Sequence, residues 1–136
     1  MTPLAATILI SAFLLVDSII VLAVFNMAAN EVKSLAKHFP QVPPQIHAER
    51  RNFQSFSLGY YNFGWSFHVV ADRDYLHMLP AWLFRKFGVP NFSIPRAELK
   101  DPKKCFAGVI VTVRNEKLRG PRWCLAPDPP WNEPES

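Results

Sequence analysis

The side chains able to do chemistry are few and scattered. Four histidines, His38, His47, His68 and His77, show neither HxH nor HxxxH spacing, so no two imidazoles fall on one face of a strand or helix as metal ligands would. His68 and His77 fall in alternating segments where their side chains are expected on the exposed face. Asp72 and Asp74 could mimic a carboxylate pair, but they flank Arg73. A short acidic side chain bonds its own backbone, which makes both turn-formers. Cys105 and Cys124 have no CxxC neighbour and no histidine at ligand spacing; they could pair in an oxidising compartment and would be free thiols in a reducing one. There is no glycine-rich phosphate loop, no GxSxG and no Cys–His–acid signature. The chain is therefore expected to be no enzyme, with no cofactor, no metal site and no small-molecule substrate.

Asp17 is the exception, because of where it lies. Leu4 to Phe25 is an unbroken apolar run with this one charge at its centre, and as a helix it matches the roughly 30 Å of a bilayer's hydrocarbon. Asp at mid-span costs about +3 kcal/mol on insertion scales, whereas each Leu, Ile, Val or Phe contributes about −0.3 to −0.6. Thirteen such residues between Ile8 and Phe25 carry the sum toward insertion. An ionisable group inside a bilayer seeks a polar partner on another helix. Ser11 and Ser18, seven apart, lie beside it, so Asp17, Ser11 and Ser18 are the candidate helix-docking residues, through small-residue packing and interhelical hydrogen bonds.

A cleaved leader would want a basic start, a shorter apolar stretch and a small-x-small site. Met1 to Pro3 carries no Lys or Arg, and Ala29 is preceded two positions back by Met27. Residues 1–29 are thus expected to be a retained single-pass signal-anchor. All fifteen Lys and Arg follow the span, with Lys33 and Lys37 closest and Glu31 among them; by the positive-inside rule the N-terminus is expected outside and the body in the cytoplasm, with a periplasmic body as the alternative.

Residues 30–51 are expected to form a short continuation or juxtamembrane helix, capped by Asn30 and ended by Pro40, and then a proline-containing tether that lifts the body off the membrane. Residues 52–126 turn to aromatic and β-branched residues in short alternating runs, the pattern of strands. Phe53–Tyr61, Trp65–Asp72 and Tyr75–Leu79 read as antiparallel partners, Trp82–Phe87 is open between strand and helix, Asn91–Pro95 leads to one helical turn, and Cys105–Arg114 reads as one long strand. The charged stretch from Asn115 reads as a turn before Arg122–Ala126. Residues 127–136, proline-rich and acidic, are expected to be disordered or pinned only by Trp131. The fold class is one N-terminal transmembrane α-helix plus a small, mainly antiparallel β domain, such as an open β meander. So small a sheet would leave one face and its edges wanting cover from a partner, a second copy or the membrane.

From Arg85 to Arg122 there are ten cations against three anions. Arg85, Lys86, Arg96, Lys100, Lys103 and Lys104 form a candidate basic surface for anionic lipid headgroups or an acidic partner, or simply a solvated face. Nucleic acid is not expected, since the aromatics alternate as core residues rather than accompany the cations.

The stretch from Leu58 to Leu99, with Val69, Asp72, Leu76, Leu79, Leu83, Phe84, Arg85, Pro90, Ile94, Pro95 and Glu98 at pattern positions, resembles a family of small membrane-anchored bacterial proteins of unknown function. Arg96 stands where that pattern has Trp, and Leu99 where it has Ile. The same order is similar to the first half of pleckstrin-homology-like and GRAM-like domains, which close their barrel with a C-terminal amphipathic helix that residues after Ala126 cannot supply. The resemblance implies a PH-like or truncated version of that body on the inner (cytoplasmic) membrane. Two functions are then expected: an accessory or scaffolding subunit docking onto other transmembrane subunits of a larger complex, photosynthetic or respiratory, or a free-standing adaptor whose body binds anionic lipid or a peptide.

Overall fold

The structure, a computed structural model, describes residues 2–59, 61–106 and 108–126; the expected tail lies outside them. Helix α1 spans Pro3–Ala36 without a break. Thr2 caps it by accepting from the Ala5 amide at 3.1 Å, with Pro3 at the first helical position, where a missing N–H costs nothing. Thr7 and Ser18 donate to the Pro3 and Leu14 carbonyls at 2.9 and 2.8 Å, so these two hydroxyls in the apolar run are satisfied by their own helix.

The environment of α1 changes along its length. From Leu4 to Val24 its large apolar side chains are exposed, whereas Ala28, Ala29, Val32, Leu35 and Ala36 are buried. The stretch from Asn30 is thus a continuation of the span, and Asn30 caps nothing. Three of those five residues are alanines, which let the helix backbone approach the β domain closely.

Seven antiparallel strands follow: β1 (Glu49–Leu58), β2 (Tyr61–Ala71), β3 (Tyr75–Pro80), β4 (Phe92–Pro95), β5 (Lys100–Cys105), β6 (Gly108–Val113) and β7 (Glu116–Gly120), in the order β4-β3-β2-β1-β7-β6-β5. Two meanders, β1–β4 and β5–β7, meet only where Ser57 and Leu58 pair with Arg119 and Leu118. Register shifts in β1 around Gln54 and in β5 between Lys100 and Lys103, with Phe53 and Asp101 at positive φ, are the bulges that curl the sheet. Short helices complete the chain: α2 (Trp82–Lys86), a 3-10 turn at Arg96–Glu98, and α3 (Arg122–Leu125).

Aromatic rings tie helix to sheet. Phe25 stacks on Phe84 with centroids 4.6 Å apart, Phe84 lies 5.6 Å from Phe67, and Phe67 meets Phe56 and Phe92 edge-on at 5.9 and 6.3 Å. Such contacts add about 0.5–1.5 kcal/mol each beyond the burial of apolar area. The cover that so small a sheet needs thus comes partly from the C-terminal end of α1.

Several boundaries differ from those expected. The 40–51 segment is no free tether: Pro40 bridges Phe92, the Ser93 amide donates to the Phe39 carbonyl at 3.2 Å, and β1 begins at Glu49. Phe106 interrupts the expected long strand, so Lys100–Cys105 and Gly108–Val113 form a hairpin. The charged stretch Glu116–Gly120 is a strand and Arg122–Leu125 a helical turn, because Leu118 and Gly120 face the core while Lys117 and Arg119 face water.

Candidate functional site

The most developed polar arrangement lies at the β2–β3 turn. Asp72 ends β2, and its Oδ1 accepts from the Asp74 and Tyr75 amides at 3.0 and 2.7 Å, the turn chemistry expected of it. Its Oδ2 faces the other way, accepting from the Gln45 amide at 3.1 Å and lying 2.7 Å from His77 Nε2. His77 Nδ1 in turn lies 2.8 Å from Ser93 Oγ, and the two residues are opposite each other in the β3–β4 register. Ser93 Oγ accepts from the Val42 amide at 3.0 Å. Asp72, His77 and Ser93 are 3%, 3% and 1% exposed. His77, expected on an open face, is therefore buried, because the segment from Phe39 to Gln45 closes over it.

An Asp–His–Ser line at hydrogen-bond distances has the connectivity of a nucleophilic triad. Here the serine is occupied by backbone and shut off from solvent, so the line works as a clasp. With His77 neutral, the Val42 amide donates to Ser93, Ser93 donates to Nδ1, and Nε2–H donates to Asp72, leaving every partner satisfied. Burial works to raise the Asp72 carboxyl, but hydrogen bonds from His77, Gln45, Tyr75 and Asp74 outweigh it and hold the group below the usual carboxylate range. Arg96 adds a second stitch, donating from Nε to the Asp72 carbonyl and from NH1 to the Cys124 carbonyl, both at 2.8 Å. Burial pulls its guanidinium down to about 10. Arg96, which the sequence assigns to a surface for lipid or an acidic partner, is instead a staple between the β2–β3 turn and α3.

The other basic candidates are exposed. Arg85 donates to the Pro80 carbonyl at 3.0 Å and to Asn91 at 3.1 Å, and Lys86 Nζ sits 4.9 Å over the Trp82 ring. Lys100, Lys103 and Lys104 lie on β5, an outer strand of the sheet. Lysines and Pro102 on such a strand also discourage edge-to-edge pairing.

Asp17, Ser11 and Ser18 all lie on the bare length of α1. Ser11, Ser18 and Phe25 are spaced by seven, so the serines stand nearly in line with the ring that grips the β domain, and Asp17 is turned about 100° from Ser18 around the axis. The polar groups thus occupy two sides of the helix rather than one stripe.

Cys105 is half-buried and Cys124 buried, and both are free thiols. Burial pushes the Cys124 thiol up to about 12. An open recess of about 560 Å³ between the β1–β2 and β6–β7 turns is lined by Leu58, Tyr61, Lys117, Glu31 and Glu116. Burial first, and then the charge and hydrogen bond of Glu31, raise the Glu116 carboxyl. Among the described residues no group of three or more His, Cys, Asp or Glu is placed to hold a metal ion.

No family model, no curated protein and no solved structure matches the chain. What stands on geometry is a helix long and apolar enough to cross a membrane, continuous with the core of a curled antiparallel β domain.

Proposed function

We propose that this chain is a non-enzymatic single-pass membrane protein, an accessory or scaffolding subunit that docks onto a larger membrane complex through α1 and holds its β domain at a fixed place on the cytoplasmic face. The observation carrying this reading is the unbroken passage of α1 from its exposed apolar length into the β-domain core. A leader cut after Ala29 would take away Phe25, Ala28 and Ala29, two of them among the most buried groups of the helix, which supports retention of the anchor. Asp17 in an otherwise apolar helix supports a partner, since its cost of about 3 kcal/mol is offset by a polar group on a neighbouring helix. The closure of Ser93 and His77 to solvent supports a structural role over a hydrolytic one. Mild detergent extraction followed by native gel and mass spectrometry tests the proposal. Co-migration with a large assembly that Asp17→Leu releases supports it, and monomer-mass migration of both proteins refutes it.

A second reading, a PH-like adaptor for anionic lipid or a peptide, is favoured by the strand plan. Four strands followed by three, joined through β1 and β7, with only the short α3 afterwards, fit an open version of such a body, in line with the similarity of the strand order to pleckstrin-homology-like and GRAM-like domains. Monomer-mass migration together with liposome binding lost at high salt would favour it.

A further inference from the structure

The span ends where the β domain begins, and α2 lies at that level. Leu4 to Val24, at about 1.5 Å per residue, covers about 30 Å, the hydrocarbon thickness, so Phe25 marks the boundary. Phe25 is held by α2 itself, stacked on Phe84 and 4.9 Å from Phe87. One side of α2 is therefore fixed against α1, with Phe84 only 1% exposed. Its remaining surface carries Trp82 and Leu83, 64% and 40% exposed, a large ring and a branched chain left largely open. Lys86 sits over the Trp82 ring. After α2 the chain turns down α1, for a Cβ placed on Gly88 would stand 3.3 Å from the Lys33 side chain.

We infer that Trp82 and Leu83 dip into the lipid bilayer at the headgroup–acyl boundary and, with Lys86 reaching anionic phosphates, form a second membrane contact beside α1. Phe84 and Phe87 hold α2 against Phe25 at the end of the span, so Trp82 and Leu83 stand at the level of the headgroups, where lipid is the neighbour that depth supplies. Tryptophan is suited to that depth because its ring is apolar and its N–H is wet; a lysine stem lies along apolar surface while its ammonium reaches outward. Two contacts, a helix through the bilayer and a turn on its surface, fix the rotation of the β domain about α1 as well as its height.

This rests on α1 being a retained span, and the experiment separates the two. The full-length protein is reconstituted into phosphatidylcholine–phosphatidylglycerol vesicles carrying bromine either near the headgroup or near the chain end, and tryptophan emission is compared between wild type and Trp82→Phe. The other three tryptophans are common to both proteins and cancel in the difference. The inference expects both to float with the vesicles and resist carbonate extraction, with Trp82→Phe losing quenching by the shallow bromine more than by the deep one, and Leu83→Trp in the Trp82→Phe background restoring it. Equal quenching of wild type and Trp82→Phe in floating vesicles overturns the surface contact and leaves the span standing. Failure to float overturns both.

Discussion

Replacing Asp72 by Asn tests whether the buried line is a clasp. The side chain keeps its shape, but one acceptor oxygen becomes a donor and the charge is lost. If the amide oxygen stays on the two turn amides, the new NH2 meets the Gln45 N–H, donor against donor, and the charge-assisted bond to His77 goes with it. If the amide flips, the Asp74 and Tyr75 bonds break instead. Hydrogen bonds to charged groups are worth about 1.5–3 kcal/mol, and a buried donor left unmatched costs about 1–3 kcal/mol. The expected loss is about 2–4 kcal/mol, which at about 4–8 °C per kcal/mol for a domain of this size is a Tm lower by about 8–32 °C. Thermal unfolding of the detergent-solubilised full-length protein, followed by near-ultraviolet circular dichroism, measures it. The pH dependence sharpens the test. Because the folded Asp72 carboxyl is held below its ordinary range, its contribution is complete above that range and is lost as pH falls through the depressed value. The gap between wild type and variant should therefore close in acid. A deficit under about 1 kcal/mol at neutral pH, or one that is the same at every pH, refutes the clasp; reaction centres give up stability for function, and removing their charge often stabilises the fold.

Three further outcomes follow from the same geometry. Glu116→Gln removes one of two facing carboxylates; the raised Glu116 favours the folded state below the ordinary glutamate range and loses that contribution as pH rises through the raised value, so the variant should melt a few degrees higher than wild type at neutral pH and show no gain in acid. Maleimide should label Cys105 in the folded protein while Cys124, completely buried with its thiol pushed up to about 12, reacts only on denaturation, as mass spectrometry of the labelled peptides would show. A chain beginning at Lys37 lacks the five buried residues of α1; with a domain's whole stability only about 5–15 kcal/mol, it should fail to give a cooperative melting transition.

What was legible in the sequence followed periodicity. The long apolar helix, the β2–β3 turn at Asp72 to Asp74, the antiparallel pairing of Tyr75–Leu79 with β2 and the single helical turn after Pro95 all rest on local patterns, apolar length or alternation with turn residues. The misread parts turn on contacts that no local pattern carries. Glu116–Gly120 reads as a turn because four of its five residues are charged or glycine, yet its alternation of Leu118 and Gly120 with Lys117 and Arg119 becomes meaningful only once β6 and β1 flank it. Gly120 has no room for more, since a Cβ there would stand 2.5 Å from the Phe56 ring. His77 was placed on the open face because alternation with Leu76 and Met78 predicts it; the face is closed by a segment that precedes β1. Nothing short of the β3–β4 register, which sets His77 opposite Ser93, would have revealed the clasp.

The clasp and the anchor act on the same segment from opposite ends. Phe39 to Gln45 leaves α1 and is at once held by Phe92, Ser93 and Asp72, so the helix cannot swing about its junction without breaking buried hydrogen bonds. At the other side of that junction Phe25 is gripped by Phe84 and Phe87. The proline-bearing stretch, by composition a semi-rigid tether, is thereby a strut packed on the domain. A leash suits a domain that searches for its ligand, since effective concentration depends on reach. A strut suits one whose partner is already in place beside the span, because a domain held at one height and rotation meets only what the membrane brings to that spot. The rigid junction therefore favours docking onto a resident assembly over capture of a wandering ligand.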